Sequence, residues 1–272
     1  MAYDYIISCC SYTDMSSKEM NDLGIKYICT PYMVDGKTYI DDLGETTSYE
    51  EFYQAMKDGA ITNTFQLNQN EFADYFRELL KTGQDIIHVS LSSGLSGVSN
   101  SARLAIDAMK EEFPDRTIYL VDSLAAAAGL GLLMYTASKL RDQGMGIEEL
   151  YNWFEENKLN LHHWFFTSDL TYLVRGGRVS KASGFIGGVL NICPLMNVSD
   201  QGKLIPRAKI RGKKKVITEN NVHLDYHTPK AKTFILICNH TEAFDPGYEM
   251  AALKRYVRFV SSDHVLRMNV GW

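Results

Sequence analysis

The amino-acid sequence predicts an α/β protein built on largely parallel sheets, and three observations support this class. Continuous apolar runs of strand length recur along the chain, at residues 3–8, 85–91, 117–121 and 232–238. Each run is followed by a small polar turn and then by a segment with the apolar period of a helix. The runs are apolar throughout instead of alternating, which is typical of parallel strands covered by helices on both faces.

The first strand-to-helix unit covers the start of the chain. Its strand, residues 3–8, leads through a turn to a helix that begins at about Ser16. Ser16 and Glu19 have the spacing of a capping box, in which the side chain of each residue bonds the backbone amide of the other. Gly24 follows at a position where glycine commonly ends a helix.

Three further units repeat this order. Strand 85–91 is followed by a helix that extends through about residue 112, and strand 117–121 by a helix that ends near Gly144. Strand 232–238 is followed by a polar turn and another helix. Such sheets bind ligands beyond the carboxyl ends of their strands. We therefore expect the polar turns to converge at one edge, namely Ser8–Thr13, Ser92–Gly97, Asp122–Ser123 and Asn239–Thr241.

The middle of the chain has a different character. Residues 168–192 are rich in glycine and other small residues and show no strand period. Residues 191–212 fit a strand, a turn at Asp200–Gly202 and a second strand, which together make a hairpin. We place a domain boundary here, between an N-terminal α/β domain, residues 1–160, and a C-terminal α/β domain, residues 161–272.

The composition limits the classes of function. The chain has 272 residues, of which 45% are apolar and 22% charged, an ordinary balance for a globular protein. Its formal net charge of −5 argues against a nucleic-acid-binding protein that relies on general electrostatic attraction. The N-terminal sequence lacks the pattern of a signal peptide, and residues 124–140 are too short and glycine-interrupted to span a membrane. Five cysteines without C-x-x-C spacing predict neither a disulfide framework nor a zinc site, so we expect a cytoplasmic protein.

The sequence HVSLSSGLSGVSNSARLA, residues 88–105, concentrates serine and glycine between a strand and a helix. One hypothesis is that Ser92, Ser93 and Ser96 only satisfy free amides at the start of the helix. A second is that one serine is a nucleophile. The third is that the turn binds an anion, because helix amides, close backbone approach at Gly94 and serine hydroxyls all supply donors.

Anion binding is the hypothesis that uses most of these residues. Capping needs a single serine, which would leave the others without a role. A nucleophile needs a general base, and the turn lacks the G-x-S-x-G pattern of hydrolase nucleophiles. His88 lies inside the predicted strand, where a core or surface histidine is the simpler interpretation.

Other polar segments allow two interpretations each. Thr62, Asn63, Thr64 and Gln66 form a cluster of donors, for which a solvated loop before the next helix is the favoured interpretation. The basic run RAKIRGKKK, residues 207–215, is typical of a solvated edge strand. If this strand faces the polar edge, its Arg211 could meet a phosphate. The RGGR sequence at 175–178 is a glycine turn by default and a phosphate-approach loop if it lines the site.

Four motifs, taken in order, resemble the DegV family. They fall between about residue 61 and residue 215 and read SSGLSGVSNSA, VDSLAAAAGLG, LTYLVRGGRVS and GGVLNICPLMNVSDQGKLIPRAKIRGKKK. Each motif alone is weak, and their ordered combination is specific. The chain is similar in particular to the fatty-acid-binding subunits of the bacterial fatty acid kinase system.

The resemblance implies a two-domain fold in which each domain has a mostly parallel sheet flanked by helices. One long-chain fatty acid would lie in a tunnel between the domains. The resemblance also implies a lipid-binding carrier with no catalytic residue, metal or cofactor of its own. Its implied partner is a separate fatty acid kinase subunit, similar to dihydroxyacetone kinases. Transient contact with a membrane surface is compatible with this role, and no nucleic-acid partner is expected.

The family pattern also implies which residues hold the ligand. The positions of its carboxylate site, with the threonine and the second serine as chief donors, correspond to Thr64, Ser93, Ser92, Ser96 and Gly94. Helix amides would complete this site. The family's arginine that is important for the phosphorylation step corresponds to Arg211, which would face the phosphate or the partner.

The sequence departs from the family pattern in three places. Cys9-Cys10 stands where the family has Asp-Ser after the first strand, and the T-S-Q-P segment of the family is Thr64–Leu67 here. The C-terminal H-T-G-P-G motif is absent, so we expect the C-terminal domain to be truncated at its end and to lack the family histidine. His240, in the segment CNHTEAFDPG, suits a strand-to-helix turn instead.

Two other functions stay open from the sequence. A phosphoryl- or acyl-transfer enzyme could use Ser92–Gly97 as a phosphate or oxyanion cradle, although the P-loop pattern G-x-x-x-x-G-K-[ST] is absent. A family member that has lost its ligand could act through protein contacts, which the missing C-terminal motif favours.

Overall fold

The computed structural model of the protein describes residues 3–167, 170–180 and 192–211, together with the backbone of two further strands, Phe234–Cys238 and Val257–Phe259. The chain divides into two compact units, Met1–Glu156 and Asn157–Trp272. Each unit has sheets of its own and its own clusters of buried apolar side chains.

The N-terminal unit contains seven strands and six helices among its described residues. Their bounds are β1 Tyr5–Cys10, α1 Ser17–Asp22, β2 Ile25–Ile28, β3 Thr30–Val34, β4 Lys37–Asp41, α2 Tyr49–Lys57, β5 Thr62–Thr64, α3 Gln69–Leu80, β6 Asp85–Ser90, α4 Val98–Glu112, β7 Ile118–Asp122, α5 Ala127–Asp142 and α6 Ile147–Asn157. The predicted strands β1, β6 and β7 and the helices after them are confirmed, although β1 begins and ends later than the predicted 3–8.

Four parallel strands form the central sheet of this unit, in the order β2-β1-β6-β7. The prediction of a parallel sheet is confirmed here. The chain passes from β1 to β2 in one direction and from β6 to β7 in the other, so the winding reverses between β1 and β6. Doubly wound sheets bind ligands at the carboxyl edge of such a reversal. The loops after β1 and β6 are therefore the first place to look for a site.

Helices cover both faces of this sheet. Ile6 of β1 packs into a cluster with α3 and α4, in which Phe72 and Ala102 are fully buried. Successive side chains of a strand point to opposite faces. Tyr5 accordingly reaches the other face, where its hydroxyl donates to the Met145 carbonyl at 2.9 Å. The helix α5 contacts β1 there and completes three layers.

The apolar segment at 124–140 is largely the helix α5, and its prediction as a buried helix is confirmed. Near its end the Arg141 guanidinium donates to the Leu23 and Gly24 carbonyls at 2.6 and 3.0 Å. The same group lies 3.3 Å from the centroid of the Tyr3 ring. These contacts join the end of α5 to the end of α1. Within the described residues, no helix combines the length and apolar character needed to cross a membrane.

The capping box predicted at the start of α1 is confirmed. Glu19 N donates to Ser16 Oγ at 3.2 Å, and Ser16 N donates to Glu19 Oε2 at 2.8 Å. Beyond the helix, Gly24 has a φ of +60°, a left-handed conformation that glycine adopts without strain. Asn68 and Glu71 form the same reciprocal pair at the start of α3.

A second, three-stranded sheet in this unit was not predicted. Its strands pair antiparallel in the order β4-β3-β5. Tyr32 of β3 stacks on Tyr39 at a centroid distance of 5.5 Å, and Phe52 of α2 stands edge-on to Tyr32 at 5.3 Å. The strands are short and mostly half-buried or exposed. Such strands lack the continuous apolar run on which the prediction depends.

The C-terminal unit contains a five-stranded sheet. Its described elements are a 3₁₀ turn Lys158–Asn160, β8 His162–Phe166, α7 Thr171–Arg175, β9 Ile192–Val198, β10 Leu204–Arg211, β11 Phe234–Cys238 and β12 Val257–Phe259. The order is β10-β9-β8-β11-β12. The predicted hairpin is confirmed as β9 and β10, and its turn closes with Ser199 N bonded to the Lys203 carbonyl at 2.9 Å.

The five-stranded sheet of the C-terminal unit is mixed, which corrects the expectation of a mostly parallel sheet in each domain. β9 runs antiparallel to both of its neighbours, β8 and β10. β11 runs parallel to β8 and β12. The physical reason is the short turn between β9 and β10, since a two-stranded hairpin is antiparallel by necessity and parallel strands need a long crossover.

His88 is fully buried in the middle of β6. Its Nδ1 lies 2.9 Å from Ser8 Oγ, which in turn lies 2.7 Å from Tyr75 Oη. The rings of Phe72 and Phe76 stand edge-on to the imidazole. Burial lowers the pKa of His88 to about 3. The interpretation of His88 as a core histidine is confirmed, whereas Ser8, expected at the polar edge, lies in the core because β1 continues past it.

We predict that His88 makes the N-terminal unit less stable as the pH falls. The unfolded chain takes up a proton on this histidine near pH 6.5, whereas the folded unit does so only near pH 3. The stability is therefore fully present above the unfolded pKa and falls by about 1.4 kcal/mol per pH unit towards the folded pKa.

The variant His88→Asn tests this, because the amide keeps an acceptor for Ser8 and cannot titrate. In urea unfolding followed by circular dichroism, its free energy of unfolding should decrease less steeply than that of the wild type from about pH 6 to about pH 4. His162→Asn, in the other unit, should leave the slope of the N-terminal transition unchanged. Equal slopes for the wild type and His88→Asn would contradict the assignment.

Candidate functional site

Three loops meet at the carboxyl edge of the parallel sheet. They are residues 11–15 after β1, residues 91–97 after β6 (the serine turn) and residues 123–126 after β7 (the β7 loop). The strands before them are direct neighbours, with Cys9 paired to Val89 and Ser90 paired to Asp122. The predicted convergence of these turns is therefore confirmed for residues from Ser11 onward. The fourth turn, Asn239–Thr241, lies outside the described residues, as does His240.

Most backbone amides of the serine turn have partners inside the protein. Ser92 N donates to the Ala125 carbonyl and Ser93 N to Asp122 Oδ1, both at 3.0 Å. Leu95 N and Ser96 N donate to the Ser92 carbonyl, at 3.0 and 3.2 Å. These amides are already satisfied, so fewer free amides remain to bind an anion than the sequence predicts.

The serines of the turn have different roles. Ser92 is fully buried, and its Oγ accepts from Gly94 N at 3.1 Å. Ser96 Oγ accepts from Val98 N, the amide of the first residue of α4, at 3.3 Å, whereas the N-cap position itself is Gly97. Ser93 is exposed, and its hydroxyl has no hydrogen-bond partner among the residues that the structure describes. Bonds within the turn thus account for the hydroxyls of Ser92 and Ser96, and the Ser93 hydroxyl is left without a described partner.

The hypothesis of a serine nucleophile gains no support from His88. This histidine is the nearest in the sequence, and its Nδ1 is bonded to Ser8 within the core. A general base must lie within hydrogen-bond reach of the nucleophile or one water away from it. Burial that lowers the pKa of His88 to about 3 also makes it a weak base.

Thr64 lies at the end of β5, where its backbone pairs with Tyr32. The segment 62–64 is thus a short strand and not the solvated loop that the sequence favours. Thr64 is exposed, and no described residue hydrogen-bonds to its hydroxyl. Asn63 pairs with Met33 on the same strand.

Gln66 joins the Thr64 segment to the first turn of α4. Its Nε2 donates to Ser101 Oγ at 3.0 Å. A Cβ added to Gly97 would lie only 2.8 Å from Gln66 Oε1, so the glycine makes room for the glutamine amide. Leu67 is buried in the same apolar cluster as Val98. These contacts bring the Thr64 segment next to the serine turn.

Acidic side chains surround this edge. Asp14 Oδ2 accepts from Ala128 N at the start of α5 at 3.0 Å. Asp14 keeps some solvent contact, but partial burial of its carboxyl group raises its pKa to about 6. Burial likewise raises the pKa of Asp41, against an opposing hydrogen bond from Ser11. Across the described ranges, no lysine or arginine forms an ion pair with Asp14, Asp41 or Asp122. The edge therefore offers neutral donors in an acidic setting.

Cys9 and Cys10 do not contribute side chains to this edge. Both are fully buried within β1, and burial raises the pKa of each thiol above its ordinary value. The hydroxyl-bearing loop begins only at Ser11, whose Oγ lies 3.0 Å from Thr30 Oγ1. The two cysteines that replace the family's Asp-Ser are therefore core residues.

The basic candidates belong to the C-terminal unit. Arg211 is the last residue of β10, is exposed, and pairs with Ile192. Lys213–Lys215 lie outside the described residues. The RGGR sequence forms the glycine turn that ends α7, in which Gly177 has a φ of +76° and Arg178 Nη1 donates to the Gly176 carbonyl at 2.6 Å.

The chain matches one protein family over most of its length. The family model described as "Uncharacterised protein, DegV family" matches residues 9–259. The chain belongs to the DegV family. Among the relatives of this DegV protein, a DegV domain-containing protein of Clostridium perfringens is 37% identical over 251 residues, which are 92% of this chain and 86% of the relative.

Solved structures of other DegV proteins share its fold. A DegV family protein from Thermus thermophilus, described as binding fatty acid, matches with a TM-score of 0.72 and 27% identity over 85% of this chain and 80% of its own. A Thermotoga maritima protein, whose structure is described as revealing a fatty acid binding function, matches with a TM-score of 0.70 and 28% identity over 87% of this chain and 82% of its own. The DegV-like fold, with parallel and antiparallel sheets, is thereby established.

Asp14 and the side-chain contacts of Asp122 and Gln66 could not be inferred from the sequence. Asp122 follows the predicted strand 117–121 in the sequence, which predicts a place at the edge of the sheet and no specific partner. Gln66 belonged to a cluster interpreted as a loop. The signal that could have found them is their position directly after apolar strands or directly before a capped helix, where polar side chains face the carboxyl edge.

We predict that two neighbouring serines of this DegV protein differ in their effect on stability. Ser92→Ala removes a buried acceptor of the Gly94 amide and should lower the free energy of unfolding by about 1–2 kcal/mol. Ser93→Ala removes an exposed hydroxyl without a described partner and should change it by less than about 0.5 kcal/mol. Guanidinium unfolding of both variants measures the difference. Equal losses would assign Ser93 a capping role.

Proposed function

We propose that this DegV protein binds one long-chain fatty acid and holds its carboxylate with the hydroxyls of Ser93 and Thr64. The observation that carries the proposal is that these two hydroxyls are exposed and lack described partners, while Ser92 and Ser96 are engaged in the turn itself. Gly94 lies between them in the turn. We call the Ser93 and Thr64 hydroxyls the carboxylate clasp.

The family relationship supports the ligand class. The Thermus and Thermotoga proteins that share this fold are described as fatty-acid-binding proteins. Hydroxyl donors suit a carboxylate, whose two oxygens accept several hydrogen bonds. The tail would lie in a buried tunnel, as the family resemblance implies.

The tail and the head group of the fatty acid contribute differently to the free energy of binding. Burial of a sixteen-carbon tail gains roughly 0.8 kcal/mol per methylene, on the order of 12 kcal/mol before the costs of binding. A hydrogen bond to a charged group contributes about 1.5–3 kcal/mol. The tail therefore supplies most of the affinity, and the clasp determines which end of the ligand lies at the turn.

Binding is favoured over catalysis at this site. Acyl or phosphoryl transfer at the serine turn would need a positioned base or a phosphate loop. The turn instead directs most of its amides to internal partners. We propose that the protein presents the bound carboxylate to a separate fatty acid kinase, with Arg211 facing the phosphate or that partner, and that it acts in the cytoplasm without a cofactor.

We predict that Thr64→Ala combined with Ser93→Ala weakens retention of fatty acid by at least about tenfold, because two hydrogen bonds to the carboxylate are lost. Native mass spectrometry of protein purified from bacteria measures the fraction that carries an acyl chain. The matched control is Thr62→Ala with Ser99→Ala, which changes a threonine of the same strand and a serine in the first turn of α4, directly after the serine turn. Unchanged occupancy in the first double variant would remove both residues from the site.

We predict that Arg211→Ala leaves palmitate binding unchanged and lowers the rate of acyl phosphate formation by a partner fatty acid kinase. The reason is the loss of a guanidinium that can pair with phosphate. The matched control is Arg207→Ala, since Arg207 lies on the same strand and its Nε donates to Asn197 at 2.7 Å. Equal rates for wild type and Arg211→Ala would contradict the role of Arg211.

A further inference from the structure

We infer that Asp122 and Gln66 are positioning residues that hold the carboxylate clasp in register and thereby set its preference for a carboxylate head group. This inference rests on the proposed function. Neither residue needs to touch the ligand. Asp122 acts on the Ser93 side of the clasp, and Gln66 acts on the Thr64 side.

Asp122 fixes the backbone that carries the Ser93 hydroxyl. It is the last residue of β7 and pairs with Ser90, the last residue of β6. Its Oδ1 accepts from Ser93 N at 3.0 Å and from Leu124 N at 3.3 Å. One carboxylate oxygen thus ties the serine turn to the β7 loop, so the Ser93 backbone cannot rotate without breaking a charge-assisted bond.

The backbone is strained within the β7 loop and directly after it. Leu124 of the loop and Ala127, the first residue of α5, have φ angles of +50° and +52°, which are unfavourable for residues other than glycine. The loop also presents the Ala125 carbonyl to Ser92 N at 3.0 Å, while Ser123 N donates to the Ser90 carbonyl at 3.3 Å. The loop thus supplies the acceptor of the Ser92 amide, while Asp122 at the end of β7 supplies the acceptor of the next amide, that of Ser93.

Gln66 fixes the other side of the clasp. Phe65 N donates to the Pro31 carbonyl at 3.1 Å, which ends the strand pairing of this segment. The Gln66 side chain then crosses to α4, where it bonds Ser101 Oγ at 3.0 Å and fills the space above Gly97. This amide makes the side-chain hydrogen bond that joins the Thr64 segment to the first turn of α4, beside the apolar contact of Leu67 in the Val98 cluster.

Loss of either contact should affect head-group preference more than total affinity. The strength of a hydrogen bond falls steeply with distance and angle. A carboxylate that accepts from both hydroxyls loses binding free energy when one of them shifts. An alcohol head group makes fewer hydrogen bonds and therefore loses less. The tail contributes equally to both ligands. The ratio of the dissociation constants for 1-hexadecanol and palmitate therefore reports the geometry of the clasp.

The experiment measures displacement of cis-parinaric acid by palmitate and by 1-hexadecanol from the full chain. We expect Asp122→Ala and Gln66→Ala each to lower the hexadecanol-to-palmitate ratio by about tenfold, through weaker palmitate binding, while hexadecanol binding changes by less than about twofold. Asp122→Asn should retain the wild-type ratio within about threefold, because its side-chain oxygen still accepts from the Ser93 amide.

Two matched controls separate positioning from stability. Asp85→Ala removes a carboxylate that accepts from Thr117 N at 2.9 Å and so joins β6 and β7 at the opposite edge of the sheet. Gln69→Ala removes an amide that donates to the Leu104 carbonyl of α4, away from the serine turn. Both variants should retain the wild-type ratio.

The outcomes distinguish this inference from the proposed function. A wild-type protein that binds neither ligand contradicts the proposed function itself. A wild type that prefers palmitate, with the ratio kept in Gln66→Ala and Asp122→Ala, contradicts only the positioning roles. A hexadecanol-to-palmitate ratio that falls in Asp122→Asn as far as in Asp122→Ala would show that the charge matters and not the acceptor. That result would also contradict the positioning roles. Gln66 is exposed, so its variant decides the result if Asp122→Ala does not fold.

Discussion

The hydrogen bond from the Ser92 amide to Ala125 of the β7 loop and that from the Ser93 amide to Asp122 at the end of β7 are the constraint on which the site depends. They join the ends of neighbouring parallel strands, so the serine turn is held by the sheet and not only by its own helix. These amides are satisfied within the protein, Ser92 Oγ accepts from Gly94 N, and the exposed Ser93 hydroxyl has no described hydrogen-bond partner. A turn with free amides would bind anions less selectively, because each amide could reorient towards a different ligand.

The same constraint explains why the turn contains several serines and two glycines. Ser92 accepts from the Gly94 amide within the turn, and Ser96 accepts from the Val98 amide at the start of α4. Gly97 has a different role, because a larger residue there would displace the Gln66 amide. The serine turn and the Thr64 segment are thus fitted to each other. An apparently redundant cluster divides into residues that build the turn and one that can face a ligand.

Local signals in the sequence predict the parts of the fold that local chemistry determines. The capping box of Ser16 and Glu19 and the hairpin before Arg211 depend on neighbouring residues, and both are confirmed. The sheet of β3, β4 and β5 depends on pairing between distant short strands, which leaves no continuous apolar run. The partner of Ser93 N is Asp122, on a different strand, and no spacing in the sequence specifies that contact. The clasp residues were predicted by family resemblance, and their roles stay predictions.

The acidic setting of the clasp suits a carrier better than a permanent binding site. Asp14, Asp41 and Asp122 lie at or near the edge where the carboxylate is proposed to bind, and no described cation pairs with them. A lysine or arginine in the clasp would bind the head group tightly, and this ion pair would have to break when the fatty acid is transferred. Neutral hydroxyls orient the carboxylate with less energy, and nearby negative charge weakens its hold further. Retention then depends on the buried tail, and the head group stays available for the next reaction.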